Sequence, residues 1–139
     1  MALKVVLDTR FYFSYYSPED EKTAIWTKKI VQKASRAEIK LSSSAITISE
    51  LYSIMGRTLG KDAVKIRIAS IRAFHIEFIP VTTEIAQLAG EIALGTPRVP
   101  LADAIISATA LTYAEGNVIT DDDHFKLLSD LKVRWLTET

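Results

Sequence analysis

Three consecutive aspartates, Asp121 to Asp123, directly follow the short apolar segment VIT. A turn accommodates one or two aspartates, because their carboxylates accept hydrogen bonds from nearby backbone N–H groups. Three in a row exceed that structural need. Asp8 likewise ends an apolar segment, LKVVL, near the N-terminus. A shared role for these carboxylates requires that the fold bring them to one place.

Two further acids lie in segments that read as helices. Asp103 follows Pro100 closely, so it belongs to a first helical turn, where the helix dipole favours a carboxylate by about 0.3–1 kcal/mol. Glu50 lies among isoleucines and leucines. Two ordinary roles are the alternatives: Asp103 as a plain N-terminal helix acid, and Glu50 on the solvent face of its helix.

Carboxylates gathered in one place need cations. Two unit charges about 4 Å apart repel by roughly 4 kcal/mol at an effective dielectric constant near 20, so clustered acids oppose folding or take up protons. Oxygen ligands favour Mg²⁺ or Mn²⁺, whereas Zn²⁺ prefers cysteine and histidine. The sequence has no cysteine, and we expect its two histidines, His75 and His124, at the surface or in packing. A metal held by acids activates water and stabilises charge on a phosphodiester undergoing hydrolysis.

The elements that would position the acids alternate between strands and helices. Strands are predicted at LKVVLD, EIKLSS, IEFIPV, NVIT and KVRWLT. Helices are predicted at about 10–16, 19–36, 44–59 (capped by Ser43 or Ser44), 62–75, 83–94 and 100–116. This alternation indicates the α/β class, as a three-layer α/β/α sandwich around a central, mostly parallel five-stranded sheet.

In such a sheet, functional groups gather beyond the carboxyl ends of the strands, where the strand order reverses. Asp8 follows the first predicted strand, and Asp121 to Asp123 follow the fourth. We therefore expect these acids to share one crevice if the first and fourth strands are neighbours.

Composition is that of an ordinary globular domain. The chain has 139 residues, 48% of them hydrophobic and 24% charged, and we expect one domain spanning residues 1–139. The absence of cysteine, of an apolar run long enough for a membrane span and of room for a signal peptide before the first strand favours a cytoplasmic protein. Seventeen basic and seventeen acidic residues balance, which argues against a nucleic-acid partner unless the acids are concentrated in one pocket.

The acids lie in four motifs that resemble those of PIN-domain ribonucleases, most closely the small VapC-type toxins. The resemblance spans nearly the whole chain, and LADAIISATAL is its most distinctive segment. The four motifs contain Asp8 in VVLDT, Glu50 in TISELY, Asp103 in PLADAIISATAL and Asp122 in VITDDDHF.

The last motif selects one of the three aspartates. The family pattern is Thr, any residue, Asp, two residues and Phe, which here matches Thr120, Asp122 and Phe125. Asp121 remains a candidate for an additional acid.

The resemblance implies a PIN fold and a Mg²⁺- or Mn²⁺-dependent endoribonuclease, with the four matched acids as catalytic residues and metal ligands. It implies RNA hydrolysis leaving a 5′-phosphate and a 3′-hydroxyl. It further implies the toxin of a toxin–antitoxin pair, which forms a homodimer and is inhibited by a small antitoxin that inserts a segment into a groove.

Three alternatives stay open. One is a PIN nuclease of RNA processing, and another is a non-catalytic PIN-like module that binds RNA or protein. The third is a phosphoryl-accepting signalling domain. Such a domain should have a lysine near the acids at the end of the fifth strand, whereas Lys132 precedes VRWL, so the fit is poor.

One residue departs from the family pattern. Arg10 stands two positions after the first acid, where the family usually has a small polar residue. Its guanidinium could be structural or face a substrate phosphate, the interpretation we favour, or it could pair with a site acid and weaken metal binding. Thr9 and Thr120 are expected to orient the carboxylates through their hydroxyls.

Two surface features bear on partners. The segment RFYFSYY places aromatic residues on every side of a short helix, so we expect at least one exposed ring at an interface; a core helix with a half-exposed tyrosine is the alternative. Four basic residues offer either a ridge for RNA backbone or a solvated helix face: Arg57, Lys61, Lys65 and Arg72. Trp26 and Trp135 are expected in the core.

Overall fold

The computed structural model describes residues 2–134, in which five strands form a single sheet. The strands are β1 (Leu3–Leu7), β2 (Ile39–Ser44), β3 (Glu77–Ile79), β4 (Asn117–Ile119) and β5 (Lys132–Arg134). Their order is β3-β2-β1-β4-β5, and each of the four pairs is parallel. The order therefore reverses between β1 and β4, which confirms that the first and fourth strands are neighbours.

Six α-helices and one 3₁₀ helix lie within residues 2–134. The α-helices are α1 (Thr9–Tyr16), α2 (Glu21–Ser35), α3 (Ile46–Leu59), α4 (Lys61–Ala73), α5 (Thr83–Gly95) and α6 (Leu101–Tyr113). The 3₁₀ helix, Asp123–Leu127, is absent from the predicted elements. No helix of this part of the chain has the length and apolar character needed to cross a membrane.

Capping explains several of the helix boundaries. Helix α2 begins later than predicted because Asp20 accepts a hydrogen bond from the backbone N–H of Thr23 at 2.7 Å, which stabilises a helix start there. The N-cap of α3 is Ala45 and not Ser43 or Ser44 as predicted, although Ser44 Oγ accepts a hydrogen bond from the N–H of Ile46 at 3.2 Å. The predicted extension of the last strand beyond Arg134 lies outside the described residues, as does Trp135.

Side chains alternate between the two faces of the sheet and so build two helical layers. Val5 and Leu7 pack in a cluster that includes residues of α1 to α4. Val6 and Val118 pack against the other face, where α6 lies. Burial on both faces is the reason that the last three residues of β1, Val5 to Leu7, are all apolar. This confirms the three-layer arrangement, and Trp26 is buried in the first of these layers, as predicted.

All five aromatic rings of α1 are buried or half-buried, so the expectation of an exposed ring is wrong. The chain after α1 supplies the cover. Phe74 packs edge-on against Tyr15 with ring centroids 5.7 Å apart, and the Arg67 guanidinium lies 4.4 Å from the centroid of the Tyr16 ring. Because the residues that cover α1 lie more than 50 positions further along the chain, the sequence of the helix alone does not show which of its rings are shielded.

The four basic residues considered as an RNA ridge are all exposed. They lie at the end of α3 and along α4, and their exposure is compatible with an RNA ridge as well as with a solvated helix face. Arg72 also extends over the Phe78 ring, at 5.5 Å from its centroid.

Candidate metal and active site

Asp8 lies at the carboxyl end of β1 with both of its oxygens engaged. Its exposed fraction is 2%, and it caps the start of α1. Oδ1 accepts from the Thr9 N–H at 2.8 Å, and Oδ2 accepts from the Thr120 hydroxyl at 2.7 Å. These neutral donors hold the carboxylate at the reversal point without neutralising it.

Two threonines connect Asp8 to other acids. The Thr9 hydroxyl donates to Glu50 Oε1 at 2.7 Å, so half-buried Glu50 turns from α3 toward Asp8. The Thr120 hydroxyl accepts the backbone N–H of Asp122 at 3.0 Å while it donates to Asp8. Hydrogen bonds through Thr9 and Thr120 thus join the ends of β1 and β4 to α3.

Asp103 and Asp122 approach each other from α6 and from the start of the 3₁₀ helix. His124 lies between them, with Nδ1 2.9 Å from Oδ1 of Asp122 and 3.5 Å from Oδ2 of Asp103. One ligand atom from each of the three residues falls within 4.8 Å of the others. The structure therefore places an imidazole beside two of the predicted metal ligands.

The pattern of the last motif has a structural explanation. Phe125 is fully buried on the α6 face of the sheet, with Val6 and Val118, and it anchors the 3₁₀ helix there. Asp122 caps that helix by accepting the N–H of His124 at 2.9 Å. The Thr120 hydroxyl binds both Asp8 and the backbone of Asp122. The motif thus fixes the position of the Asp122 carboxylate, with Thr120 on one side of it in the chain and the buried Phe125 on the other.

Two carboxyls of the site, those of Asp8 and Asp103, have raised pKa values. Burial raises the pKa of Asp8 to about 7, aided by the charges of Asp103 and Glu50 and opposed by the hydrogen bonds from Thr120 and Thr9. Burial also raises the pKa of Asp103 to about 6, with the charges of Asp122 and Glu50 adding to the effect. Because the charges of Asp103, Asp122 and Glu50 enter these two pKa values, all four predicted acids share one electrostatic environment.

Arg10 pairs with Asp121 at the rim of the site. The Arg10 Nε donates to Asp121 Oδ1, and the hydrogen bond to that carboxylate raises the pKa of Arg10. Both groups line a cavity of about 470 Å³ together with Arg98, Asp122, Asp123, His124 and Leu127. Asp121 is thus the partner of Arg10, and Asp123 is a solvent-exposed partner of Lys126 at 3.7 Å.

Sequence reasoning missed two polar residues of this cavity, His124 and Arg98. His124 was expected at the surface or in packing, and only the turn of the unpredicted 3₁₀ helix brings it to the acids. Arg98, in the connection between α5 and α6, carried no distinguishing signal beyond its charge. His75, by contrast, is exposed and adopts a left-handed backbone conformation with φ 65°.

These residues fit a hard divalent cation. The donors are carboxylate oxygens, the ligand type that Mg²⁺ and Mn²⁺ prefer. Asp8 and Asp103 have pKa values raised by burial and by neighbouring negative charge, the condition that a bound cation relieves. In addition, Nδ1 of His124 is a buried atom without a hydrogen-bond partner among the described residues.

The chain belongs to the PIN domain family, whose family model matches residues 5–131. Comparison with curated protein sequences found no match. Several solved structures share the fold. A DNA-bound VapBC from Salmonella typhimurium has a TM-score of 0.74 at 19% identity, covering 96% of this chain and 98% of that one. VapBC2 from Rickettsia felis, bound to a promoter DNA fragment, has a TM-score of 0.73 at 14% identity with the same coverage.

A third neighbour is Mycobacterium tuberculosis VapC20, described as a toxin that cleaves the sarcin–ricin loop. Its TM-score is 0.72 at 18% identity, covering 94% of this chain and 98% of that one. The family match and these neighbours confirm the predicted PIN fold and the resemblance to VapC-type proteins.

Proposed function

We propose that this chain is a metal-dependent endoribonuclease that hydrolyses RNA phosphodiester bonds, with residues 1–139 acting as one domain. The observation that carries the proposal is the convergence of Asp8, Glu50, Asp103 and Asp122 beyond the carboxyl ends of neighbouring strands. Carboxylates this close require a cation when all are ionised. Membership of the PIN family supports a nuclease role for that cation.

The four acids would hold Mg²⁺ or Mn²⁺. When bound, the metal would lower the pKa of a water and stabilise charge on the phosphodiester. Thr9 and Thr120 keep the carboxylates of Asp8 and Glu50 in fixed orientations through their hydroxyls. Because these hydroxyls carry no charge, they orient the carboxylates without replacing the positive charge that the metal supplies.

Arg10 is suited to binding the RNA backbone. Asp121 engages its Nε, which holds the guanidinium at the cavity wall, and the other N–H donors of the fork would bind a phosphate. Arg98 lines the same cavity. These cations supply positive charge beside the acidic centre, so a chain with zero net charge still offers the phosphate a local attraction.

We further propose that the chain is the cytoplasmic toxin of a toxin–antitoxin pair, forming a homodimer that a small antitoxin inhibits. This rests on the structural neighbours, which are described as VapBC complexes and as a toxin. A PIN nuclease of RNA processing is the alternative within the same chemistry. A short adjacent reading frame encoding a small DNA-binding protein would favour the toxin.

The test is cleavage of structured RNA by the purified chain with Mn²⁺, with Mg²⁺ and with a chelator. We expect cleavage only with metal, and a loss of about a hundredfold or more in Asp8→Asn and in Asp103→Asn, since each removes a charge that positions the cation. Asp62→Asn is the matched control, because it makes the same chemical change on the exposed surface of α4 and should cleave normally.

Intact RNA in every lane would overturn the nuclease proposal. If the folded protein nevertheless retained RNA in a gel-shift experiment, the chain would be the non-catalytic binding module. Cleavage that persists in both site variants would show that the four acids are not the catalytic centre.

A further inference from the structure

His124 directs a nitrogen atom into the acidic site. Its Nδ1 lies 2.9 Å from Asp122 Oδ1 and 3.5 Å from Asp103 Oδ2. The ring belongs to the 3₁₀ helix that Phe125 anchors, so its position is set by the core and not by a free loop. The imidazole is thus held beside two carboxylates that belong to different elements.

Nδ1 lies at ion-pair distance from Asp122 Oδ1 but makes no hydrogen bond to it. The atom is buried and makes no hydrogen bond with any described residue, although the ring as a whole is 45% exposed. Asp122 Oδ1, the nearest oxygen, already accepts the backbone N–H of His124 at 2.9 Å. A buried ring nitrogen that faces two carboxylate oxygens without a hydrogen bond is unsatisfied, and a cation placed among the three atoms would bind all of them.

The spacing of the three donors matches coordination. Neighbouring ligand atoms around an octahedral ion with bonds of about 2.1 Å are about 3 Å apart. The two measured separations from Nδ1 lie close to that spacing, and all three donor atoms fall within 4.8 Å of one another. Asp103, Asp122 and His124 therefore form a compact set with two oxygens and one nitrogen.

We propose that His124 Nδ1 is a metal ligand beside Asp103 and Asp122, and that it makes the site favour Mn²⁺ over Mg²⁺. The inference rests on the proposed metal-dependent function. Both ions bind well to carboxylates, but Mn²⁺ belongs to the transition ions that also accept nitrogen ligands, whereas Mg²⁺ is bound through carboxylate, phosphate and water oxygens. A nitrogen ligand therefore contributes to Mn²⁺ affinity and little to Mg²⁺ affinity.

The direct test is pulsed electron paramagnetic resonance of the metal-free full chain loaded with Mn²⁺. A directly bound imidazole nitrogen gives ¹⁴N hyperfine coupling, which we expect in the wild type and not in His124→Phe. That variant keeps a ring of similar shape and removes both nitrogens. His75→Asn is the control, since it removes the other imidazole at an exposed left-handed position that asparagine tolerates.

Calorimetric titration with each metal alone provides the second readout. In His124→Phe we expect Mn²⁺ affinity to fall about tenfold and Mg²⁺ affinity to change by no more than about twofold, so that the ratio of the two affinities falls. In His124→Asn, which can offer an oxygen, Mg²⁺ binding should be retained. Circular dichroism of the metal-free variants checks that they fold.

The outcomes separate the inference from the proposed function. Bound Mn²⁺ without ¹⁴N coupling, or an affinity ratio that His124→Phe leaves unchanged, would overturn the role of His124 while the acids remain the metal site. Wild-type protein that binds neither ion would overturn the proposed function as well. Asp103→Asn should lose affinity for both ions, in contrast to His124→Phe.

Discussion

At the scale of single residues, the site combines several acids with few positive charges. Among the described residues, the carboxylate of Asp8 accepts hydrogen bonds only from the neutral donors Thr9 and Thr120. Burial outweighs these hydrogen bonds and raises the pKa of Asp8 to about 7. Without a metal, the folded protein therefore retains protons that the unfolded chain has released.

This proton retention predicts how stability depends on pH when a chelator is present. The pKa of Asp8 is about 7 in the folded state and near 3.8 in the unfolded chain, and Asp103 is raised to about 6. The folded state binds more protons between these values, so the free energy of unfolding should fall as pH rises from about 4 to about 7. Urea denaturation across that range measures the fall, which we expect to be on the order of a few kcal/mol.

Asp8→Asn isolates the contribution of this carboxyl, because asparagine can accept from Thr9 N–H but does not titrate. Relative to this variant, the wild type should lose stability as pH rises through that range. Asp62→Asn, at an exposed position, should follow the wild type. A parallel pH dependence in Asp8→Asn and wild type would contradict the role of Asp8.

At the scale of elements, the turn from α6 into β4 fixes where this three-residue strand begins, and Thr120 and Asp122 follow directly after it. Gly116 in this turn has φ +84°, and a Cβ there would lie 2.6 Å from the carbonyl oxygen of Asp130. Its own carbonyl accepts the N–H of Lys132 at 2.8 Å, which joins the turn to β5. Only glycine combines this backbone conformation with so close an approach.

Gly116→Ala should therefore destabilise the protein by roughly 2 kcal/mol or more, through a strained backbone and a steric overlap with backbone atoms. Thermal or chemical denaturation measures the change. Gly90→Ala is the matched control, because Gly90 is an exposed residue of helix α5 and a methyl group added there would meet no atom of residues 2–134 within 4 Å beyond its own helical turn. That substitution should be neutral or stabilise by up to about 1 kcal/mol. Equal changes in stability for Gly116→Ala and Gly90→Ala would contradict the requirement for glycine at position 116.

At the scale of the whole molecule, charge is balanced overall but unevenly placed. Seventeen basic and seventeen acidic residues give no net charge, yet the acids of the site converge on one edge of the sheet. The acids come from α3, α6 and the ends of β1 and β4. A cation bound among them would link elements from both layers of helices, so metal binding should stabilise the entire fold.

Mn²⁺ should accordingly raise the melting temperature. A ligand that binds only the folded state stabilises it by about 2.7 kcal/mol when its free concentration is about a hundred times the Kd, which corresponds to several degrees. Differential scanning fluorimetry with and without Mn²⁺ measures the rise, and Asp103→Asn should reduce it. Identical melting temperatures at millimolar Mn²⁺ would count against the metal site.

Much of the fold was predictable because its signals are local. Apolar runs, helix periodicity and end signals such as Pro100 and Gly116 depend on neighbours along the chain, and the predicted elements correspond to all five strands and six α-helices of residues 2–134. The rule that parallel strands collect functional groups at their carboxyl ends then indicated where Asp8 and Asp122 would meet.

The tertiary structure alone decided the contacts between distant segments. The pairing of Arg10 with Asp121, the cover that Phe74 provides for Tyr15, and the approach of His124 to Asp103 join residues whose separation in sequence conceals their proximity. The sequence by itself determined the class of fold and the four acids as candidates. Only strand order and the packing of Phe125 decided which side chains meet them, because such contacts depend on how the layers assemble and not on any local pattern.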